Sequence, residues 1–404
     1  MKKGSSELLT LLKAFVGERL LEKKTLANIK QNLPEVLEMA KIHNVVGVFA
    51  FMLNEYYKNN PPTQNQDKEL SSLAQKLFLL TIQTTVTMEE MYKKLSANLC
   101  EEKIDHIPFK GIVVKETYPV SPLRTYGDVD LIIRPEDREK CHEAMLKMGY
   151  NVHTDFEPVY TYYKENELYE IHTSIMSVNI TDRADYIAYF SSLWDYAYKE
   201  SDSVYMLFHE FHFVYLLCHI AKHIYSSGAG VRMYMDLAFY IKRYGSSMDW
   251  AKVYDEVKKL ELTQFFSLTM VCLEKWFDVQ IPFKAESIDD EFFKEFTDFT
   301  MEAGVFGYEG RSLGQAQVRK AGEKNSGSMR AKALIDTFFP SAKSIQSRYT
   351  YLQKRPYLLP LAWVDRLVRN YKRTGDKLKI AKEIVSADSQ KINESKVFYK
   401  KLGL

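Results

Sequence analysis

The chain has 404 residues, of which 46% are hydrophobic and 27% charged, with a formal net charge of +2 at pH 7, so it can bury a large core and should divide into two or three modules. Its four cysteines lie far apart without metal-type spacing, which excludes a disulfide framework and indicates free thiols in a reducing compartment. The N-terminus lacks the apolar core of a signal peptide and no run is long enough to span a bilayer, so we expect a cytoplasmic protein without a transmembrane segment.

The N-terminal part of the chain is predicted to be helical. Apolar residues recur at three- and four-residue intervals over residues 5–58, which indicates two or three helices, and residues 70–100 have the pattern of one long helix. The polar stretch 59–67 between them is predicted to be a loop. We interpret residues 1–97 as a helical scaffold.

A strand, a glycine turn and a helix follow this scaffold. Residues 104–109 are apolar enough for a short strand, Lys110 and Gly111 form its turn, and residues 112–118 open a helix. Such a turn aims free backbone N–H groups and the positive end of the helix dipole at an anion. Lys110 and Gly111 are therefore candidates for phosphate binding.

An Asp-x-Asp pair lies in the next predicted strand. Because side chains alternate along a strand, Asp128 and Asp130 project to one face while Val129 and Leu131 are buried on the other. Paired carboxylates repel each other unless a cation lies between them, and Mg²⁺ is usually held by one or two carboxylates together with nucleotide phosphates. Gly127 would let a ligand approach closely. The pattern predicts a site for metal-bound phosphates.

Further strands are predicted downstream, at residues 150–154, 159–164 and 168–174, with a helix at 136–148. The last of these strands carries Glu170 and His172 on one face. A third carboxylate on a neighbouring strand would hold a second ion and help to deprotonate an attacking hydroxyl. The pattern as a whole predicts an α+β fold, with a small mixed β-sheet core flanked by N-terminal and C-terminal helical regions.

These residues resemble the uncharacterised nucleotidyltransferase family of the DNA polymerase beta-like superfamily. The resemblance extends from about Lys41 to the region of Leu359 and Pro360. The matching positions, in chain order, are residues 42–47, Lys110-Gly111, Tyr118-Pro119, Arg124, residues 127–131, Glu170-Ile171-His172, His219, His223, Arg232 and Asp236, followed by Arg348-Tyr349.

The resemblance implies transfer of a nucleotidyl group from a nucleoside triphosphate to a hydroxyl acceptor, which would be a small molecule, a glycan precursor or a protein. It implies Mg²⁺, or alternatively Mn²⁺, held by Asp128, Asp130 and Glu170. The residues that it implies for the triphosphate are Lys110, Gly111, Arg124 and Gly127. Typical members of the wider superfamily have Gly-Ser or Gly-Gly at this turn, so a catalytically inactive nucleotide-binding or regulatory protein is the alternative.

Two more helices are predicted over residues 205–244, separated by residues 226–230, with at least one more at 250–277. The first carries four histidines within an arc of about 80°. Cysteines are absent from that face and the His-Glu-x-x-His spacing is not met, which weighs against zinc. We expect His219, His223 and Asp236 to border the cleft, with Arg232 either beside them or simply paired with Asp236. The positions of the four histidines are His209, His212, His219 and His223.

The end of the chain is basic. Residues 311–404 hold 21 Lys and Arg against 7 Asp and Glu, and residues 304–328 are rich in glycine, serine and alanine, which indicates a flexible linker. A basic tail with aromatic residues could bind RNA, an anionic membrane face or a polyanionic substrate, or it packs across the acidic body. An RNA-modifying nucleotidyltransferase is therefore a further alternative. We divide the chain at residues 1–97, 98–200, 201–303 and 304–404.

Overall fold

The N-terminal part of the protein is helical, as predicted. A computed structural model describes residues 2–156, 158–226, 228–282, 286–304, 326–346, 349, 351–369, 374–386 and 388–404. The long helix predicted at 70–100 is confirmed, although it begins earlier, inside the predicted loop. The helices within residues 2–105 are α1 Ser5–Val16, α2 Lys23–Gln31, α3 Leu33–Ile42, α4 Val46–Asn59 and α5 Asn65–Glu101.

In the described part of the chain, seven strands form one mixed sheet. They are β1 His106–Pro108, β2 Val129–Ile133, β3 Asn151–Phe156, β4 Val159–Lys164, β5 Glu167–His172, β6 Ala197–Ser201 and β7 Val204–Leu207. Their order is β3-β4-β5-β2-β1-β7-β6, with β2–β5 and β1–β7 parallel and the other neighbours antiparallel. The predicted α+β fold with a mixed sheet is confirmed. The helix predicted from residue 205 begins later, because residues 204–207 pair in the sheet as β7.

Helices connect and cover these strands. Those between β1 and β6 are α6 Gly111–Val114, α7 Arg138–Lys147 and α8 Tyr186–Ser191. Those after β7 are α9 His209–Ser226, α10 Val231–Tyr244, α11 Trp250–Lys259, α12 Thr263–Phe277 and α13 Asp290–Ala303. The C-terminal helices are α14 Ser326–Phe338, α15 Ala342–Ile345, α16 Tyr351–Lys354, α17 Leu359–Arg369, α18 Thr374–Ser386 and α19 Ser389–Lys401.

The two faces of β2 are buried in different cores. Leu131 and Ile133 pack with Leu95 of α5 and Met145 of α7. Ile132 belongs to the larger core formed by the helices on the other side of the sheet. Because side chains alternate along a strand, Asp130 shares the face of Ile132 and is turned towards those helices.

The larger core joins distant parts of the chain. Leu8 of α1, Phe49 of α4, Phe213 of α9 and Leu402 after α19 all belong to it. The helical regions before and after the sheet segment therefore pack together, and the division at residues 97, 200 and 303 stays a prediction. Residues 305–325, which make up most of the predicted linker, and Arg348 lie outside the described residues.

The four cysteines differ in their exposure. Cys141, Cys218 and Cys272 are buried and Cys100 is partly exposed, and all four are free thiols. Burial raises the pKa of the Cys141 thiol to about 12. Among the residues that the structure describes, none of the helices combines the length and the apolar character that crossing a membrane requires.

Candidate active site

Strand register brings the predicted carboxylates together. In the parallel pair of β2 and β5, Asp130 lies opposite Glu170 and Ile132 opposite His172. Asp128 comes just before β2, on the same side as Asp130 by alternation. Two polar side chains from β5 therefore lie beside the Asp-x-Asp pair at one edge of the larger core.

Asp130 is the most tightly held of these carboxylates. It is 5% exposed, and its Oδ1 accepts a hydrogen bond from Lys110 Nζ at 2.6 Å and lies 2.8 Å from His172 Nε2. Burial opposes ionisation, but the charge of Lys110 and the contact with His172 outweigh it and lower the pKa of Asp130 to about 2. Asp130 is therefore a carboxylate at neutral pH.

The ligand atoms of Asp130, Glu170 and His172 form a compact cluster. One from each residue lies within 4.8 Å of the other two, and His172 Nε2 is 3.5 Å from Glu170 Oε2. Carboxylate oxygens suit Mg²⁺ and Mn²⁺, and an imidazole suits transition metals. The sequence prediction grouped Asp128 with Asp130 and Glu170, whereas in the described residues this cluster takes in His172 and leaves out Asp128.

Asp128 is half-buried and poorly compensated. Burial and then the negative charge of Asp130 raise the pKa of Asp128 to about 6, against the opposing attraction of Lys110. A cation bound near the two carboxylates would cancel their mutual repulsion and so remove that part of the rise in the pKa of Asp128. The pair therefore has the electrostatic character that the sequence suggested for a cation site.

Lys110 has an unusual backbone at the turn before α6. Its φ of 55° lies in the left-handed region, a conformation that costs a non-glycine residue on the order of 1–3 kcal/mol and often marks functional sites. Its ammonium lies 4.9 Å from the centre of the Phe109 ring as well as against Asp130. Burial disfavours the charge, but the attraction of Asp130 is stronger, so the pKa of Lys110 is raised.

Glycines 111 and 127 differ in their surroundings. A Cβ on Gly111 would lie 2.8 Å from Arg124 Nη1 and 2.9 Å from Tyr126 Cβ, whereas a Cβ on Gly127 would have nothing within 4 Å. Gly111 thus allows close packing inside the protein. Gly127 leaves open space next to Asp128.

Arg124, a predicted triphosphate ligand, is engaged by Asp236. Its Nε and Nη2 donate to the two carboxylate oxygens at 3.1 and 2.7 Å, and Tyr118 donates to Oδ1 at 2.7 Å. Both partners are buried. The pairing of Arg232 with Asp236 that the sequence suggested is not formed, because Arg124 takes this carboxylate. The triphosphate role of Arg124 stays a prediction.

Arg232 points to the same region but has a different partner. Its Nη1 donates to the carbonyl oxygen of Thr125 at 2.6 Å, and Arg124 Nη1 donates to that same oxygen at 3.1 Å. Burial and the charge of Arg124 lower the pKa of Arg232 to about 10. Two guanidinium groups therefore converge three residues before Asp128.

The histidine stripe of α9 divides into two pairs. His209 stacks on Tyr244, with ring centres 3.9 Å apart, and His212 is buried. Neither belongs to the metal-ligand cluster found among the described residues. The rings of His219 and His223 lie 4.6 Å apart. Burial and nearby positive charges, including Lys110, lower the pKa of both, to about 4 for His223. These two are thus neutral near pH 7.

The segment at residues 42–47 supports the site in a way that the sequence did not reveal. Asn44 Oδ1 accepts from Thr125 Oγ1 at 3.1 Å, and His43 Nδ1 accepts from the backbone N–H of Val231 at 3.1 Å. His43 Nε2 lies 3.1 Å from the carbonyl oxygen of Met301. This segment fixes Thr125 and the start of α10, and the only signal for it in the sequence was its family-like pattern.

Similarity to known proteins identifies the family of this chain. The family model "Uncharacterised nucleotidyltransferase" matches residues 30–278, which include all the candidate residues. No curated protein matches the chain. Among solved structures, the solution structure of the antibiotic-resistance factor ANT(2'')-Ia aligns at 14% identity with a TM-score of 0.30, covering 47% of this chain and 96% of that one. Because the family match spans more than half of its residues, the chain belongs to the uncharacterised nucleotidyltransferase family.

Proposed function

We propose that the protein transfers a nucleotidyl group from a nucleoside triphosphate to an acceptor hydroxyl, with Mg²⁺ or Mn²⁺ as cofactor. Family membership supports nucleotidyl transfer in general. The observation that carries the finer proposal is the register of β2 and β5, which sets Asp130 opposite Glu170 with His172 in contact with both.

The residues fit a divalent cation of this kind. Asp130 and Glu170 offer carboxylate oxygens within one 4.8 Å cluster, and Asp128 adds a third carboxylate, whose pKa is raised by burial and then by the negative charge of Asp130. We assign metal binding to Asp128, Asp130 and Glu170, with His172 holding Asp130 in place. When bound, the ion would neutralise charge on the phosphates in the transition state.

The phosphate ligands in this proposal come from the turn before α6. Lys110 is the cation nearest to the carboxylates, at 2.6 Å from Asp130. Gly127 leaves room for a ligand beside Asp128. Arg124 is paired with Asp236, so it would add positive charge near Gly111 without binding phosphate oxygens directly.

Glu170 is the candidate base. It is half-buried, whereas Asp130 is nearly enclosed by Lys110 and His172. In the proposed step Glu170 takes the proton of the acceptor hydroxyl, whose oxygen forms a bond to the α-phosphorus. The bond from that phosphorus to its bridging oxygen breaks, and pyrophosphate leaves. His219, His223 and Asp236 would line the acceptor side of the cleft.

Binding of nucleotides tests this proposal. Each nucleoside triphosphate, as a non-hydrolysable analogue with Mg²⁺, is titrated calorimetrically into the wild type and into the Asp128→Asn, Asp130→Asn double variant. We expect metal-dependent binding of at least one analogue by the wild type and its loss in the double variant, because asparagine supplies no negative charge for the ion. Asp182→Asn, on an exposed loop, is the matched control and should bind as the wild type does.

The same experiment addresses catalysis. Absence of binding to every analogue would contradict the proposed function. Metal-dependent binding without pyrophosphate release from the natural nucleotide, in the presence of candidate hydroxyl acceptors, would favour the nucleotide-binding regulatory protein. The ammonium of Lys110 on Asp130 is the observation that keeps this second function in consideration.

A further inference from the structure

We propose that Arg232 binds the phosphates that leave as pyrophosphate, so that its guanidinium, and not that of Arg124, is the arginine ligand of the nucleotide. This inference rests on the proposed function and names the residue that recognises the phosphate tail of its donor.

Positive charge is concentrated near Thr125. Arg124 and Arg232 both donate to the Thr125 carbonyl oxygen, at 3.1 and 2.6 Å. Asp236 contacts Arg124 through two hydrogen bonds and also accepts from Tyr118. Arg232 itself donates to a neutral carbonyl oxygen, and the attraction of Asp236 and Asp128 does not outweigh burial and the charge of Arg124.

Arg232 also occupies an unfavourable position. Its Nε is buried without a hydrogen-bond partner. It is the second residue of α10, where the positive end of the helix dipole repels a cation. The lowered pKa of its guanidinium agrees with both observations. A bound anion would satisfy the Nε donor, balance the charge and favour the helix end at the same time.

The location fits the phosphates of a nucleotide. Thr125, which holds the Arg232 side chain, lies three residues before Asp128, and the charge of Asp128 acts on Arg232. Lys110 contacts Asp130, and, after burial, the charges of Lys222, Lys110 and Arg232 lower the pKa of His223. An anion at Arg232 would therefore feel the charges of further cations and lie near the candidate metal ligands. A guanidinium fork matches the oxygens of a phosphate.

Three full-length variants test the inference. Arg232→Gln removes the charge, Arg232→Lys keeps the charge but removes the fork, and Arg243→Gln makes the same change at an exposed position in the last turn of α10. Each is titrated calorimetrically with inorganic tripolyphosphate and with the Mg²⁺-bound nucleotide analogues. Thermal midpoints are measured without ligand.

We expect Arg232→Gln to bind both probes about tenfold to a hundredfold more weakly, which corresponds to the loss of a hydrogen bond from a charged group. Arg232→Lys should bind both probes more tightly than Arg232→Gln but more weakly than the wild type. Arg243→Gln should bind them as the wild type does. The thermal midpoint of Arg232→Gln should equal or exceed that of the wild type, because the substitution removes an unbalanced charge. A merely structural arginine would instead lower the midpoint.

The outcomes separate this inference from the proposed function. Nucleotide binding that is equal in wild type and Arg232→Gln would overturn the inference and leave the function standing. Arg232-dependent binding of tripolyphosphate, with no binding of any nucleotide, would contradict the proposed function and, with it, the assignment of Arg232 to a nucleotide. Binding of neither probe by the wild type, or weaker binding in Arg232→Gln together with a lower thermal midpoint, would overturn the inference.

Discussion

Asp128 and Asp130 are two residues apart, yet the pKa of their carboxyl groups differs by several units. Lys110 and His172 both contact Oδ1 of Asp130, which lowers its pKa to about 2. Asp128 is half-buried next to the negative charge of Asp130, and both effects raise its pKa, to about 6. A strand pattern predicts that both side chains share a face, but their acidity depends on residues from other elements that contact them.

Another residue whose environment sets its charge is His43. It is fully buried, and burial lowers its pKa to about 4 although its ring contacts the carbonyl oxygen of Met301. Between about pH 6.5 and pH 4 the imidazole of His43 is protonated in the unfolded chain and neutral in the folded protein. We therefore expect stability to fall as pH drops through this range, by on the order of 3 kcal/mol from His43.

Urea unfolding at a series of pH values checks this expectation. The free energy of unfolding of His43→Gln should fall less between pH 6.5 and pH 4 than that of the wild type, although the variant is less stable at pH 7. His153→Gln, at an exposed position on β3, is the matched control and should keep the wild-type slope. An unchanged slope in His43→Gln would contradict the assignment of His43 as a buried neutral group.

At the scale of elements, the turn after β1 is shorter and more strained than its sequence pattern suggested. The predicted helix 112–118 is one turn, α6, followed by a 3₁₀ turn at Lys115–Thr117. Tyr118 is extended, with ψ of 143°, because the residue before a proline avoids the helical region. A four-residue helix has a small dipole, so the anion-binding role predicted here depends more on Lys110 than on the helix.

The contrast between Gly111 and Gly127 gives a second prediction. Gly111→Ala would press its Cβ against Arg124, which cannot move aside because Asp236 holds it, and we expect a loss of about 1–3 kcal/mol in the free energy of unfolding. Gly127→Ala has open space and a φ outside the left-handed region, so its stability should change by less than about 0.5 kcal/mol.

Urea unfolding and nucleotide binding, measured together, distinguish the roles of these glycines. Gly127→Ala should weaken nucleotide binding without loss of stability if a ligand approaches that backbone. Equal stability of Gly111→Ala and the wild type would show that Arg124 or Tyr126 gives way, which would remove the packing role assigned to Gly111.

How much the sequence predicts depends on how local the contact is. Alternation along β2 and along β5 is local, and it predicted the faces of Asp130, Glu170 and His172. The pairing of Arg124 with Asp236 joins residues 112 positions apart, and no local pattern determines it. The strands β6 and β7 were missed because they are short and mostly lack buried side chains.

At the scale of the whole molecule, the last helix ties the basic tail to the body. Tyr399 donates to the carbonyl oxygen of Ile224 in α9 at 2.8 Å, and the rings of Phe398 and Phe299 lie 4.8 Å apart. For this helix, the expectation that the tail packs on the body is confirmed. A truncation before residue 311 would remove these core contacts, so RNA binding by the tail is better tested with substitutions of exposed lysines.

The contribution of this docking can be measured with two substitutions at the end of the chain. Leu402 is fully buried in the larger core, whereas Val397, on α19, is 58% exposed. Leu402→Ala should lower the free energy of unfolding by about 2–5 kcal/mol, because it leaves a cavity, and Val397→Ala should change it by less than about 0.5 kcal/mol. Both are measured by urea denaturation of the full chain.

Since Tyr399 of the same segment contacts α9 one residue after His223, Leu402→Ala should also weaken nucleotide binding if the end of α9 borders the cleft. Equal stability of the two variants would mean that the last helix is not part of the folding core, and the tail would then be a separate module.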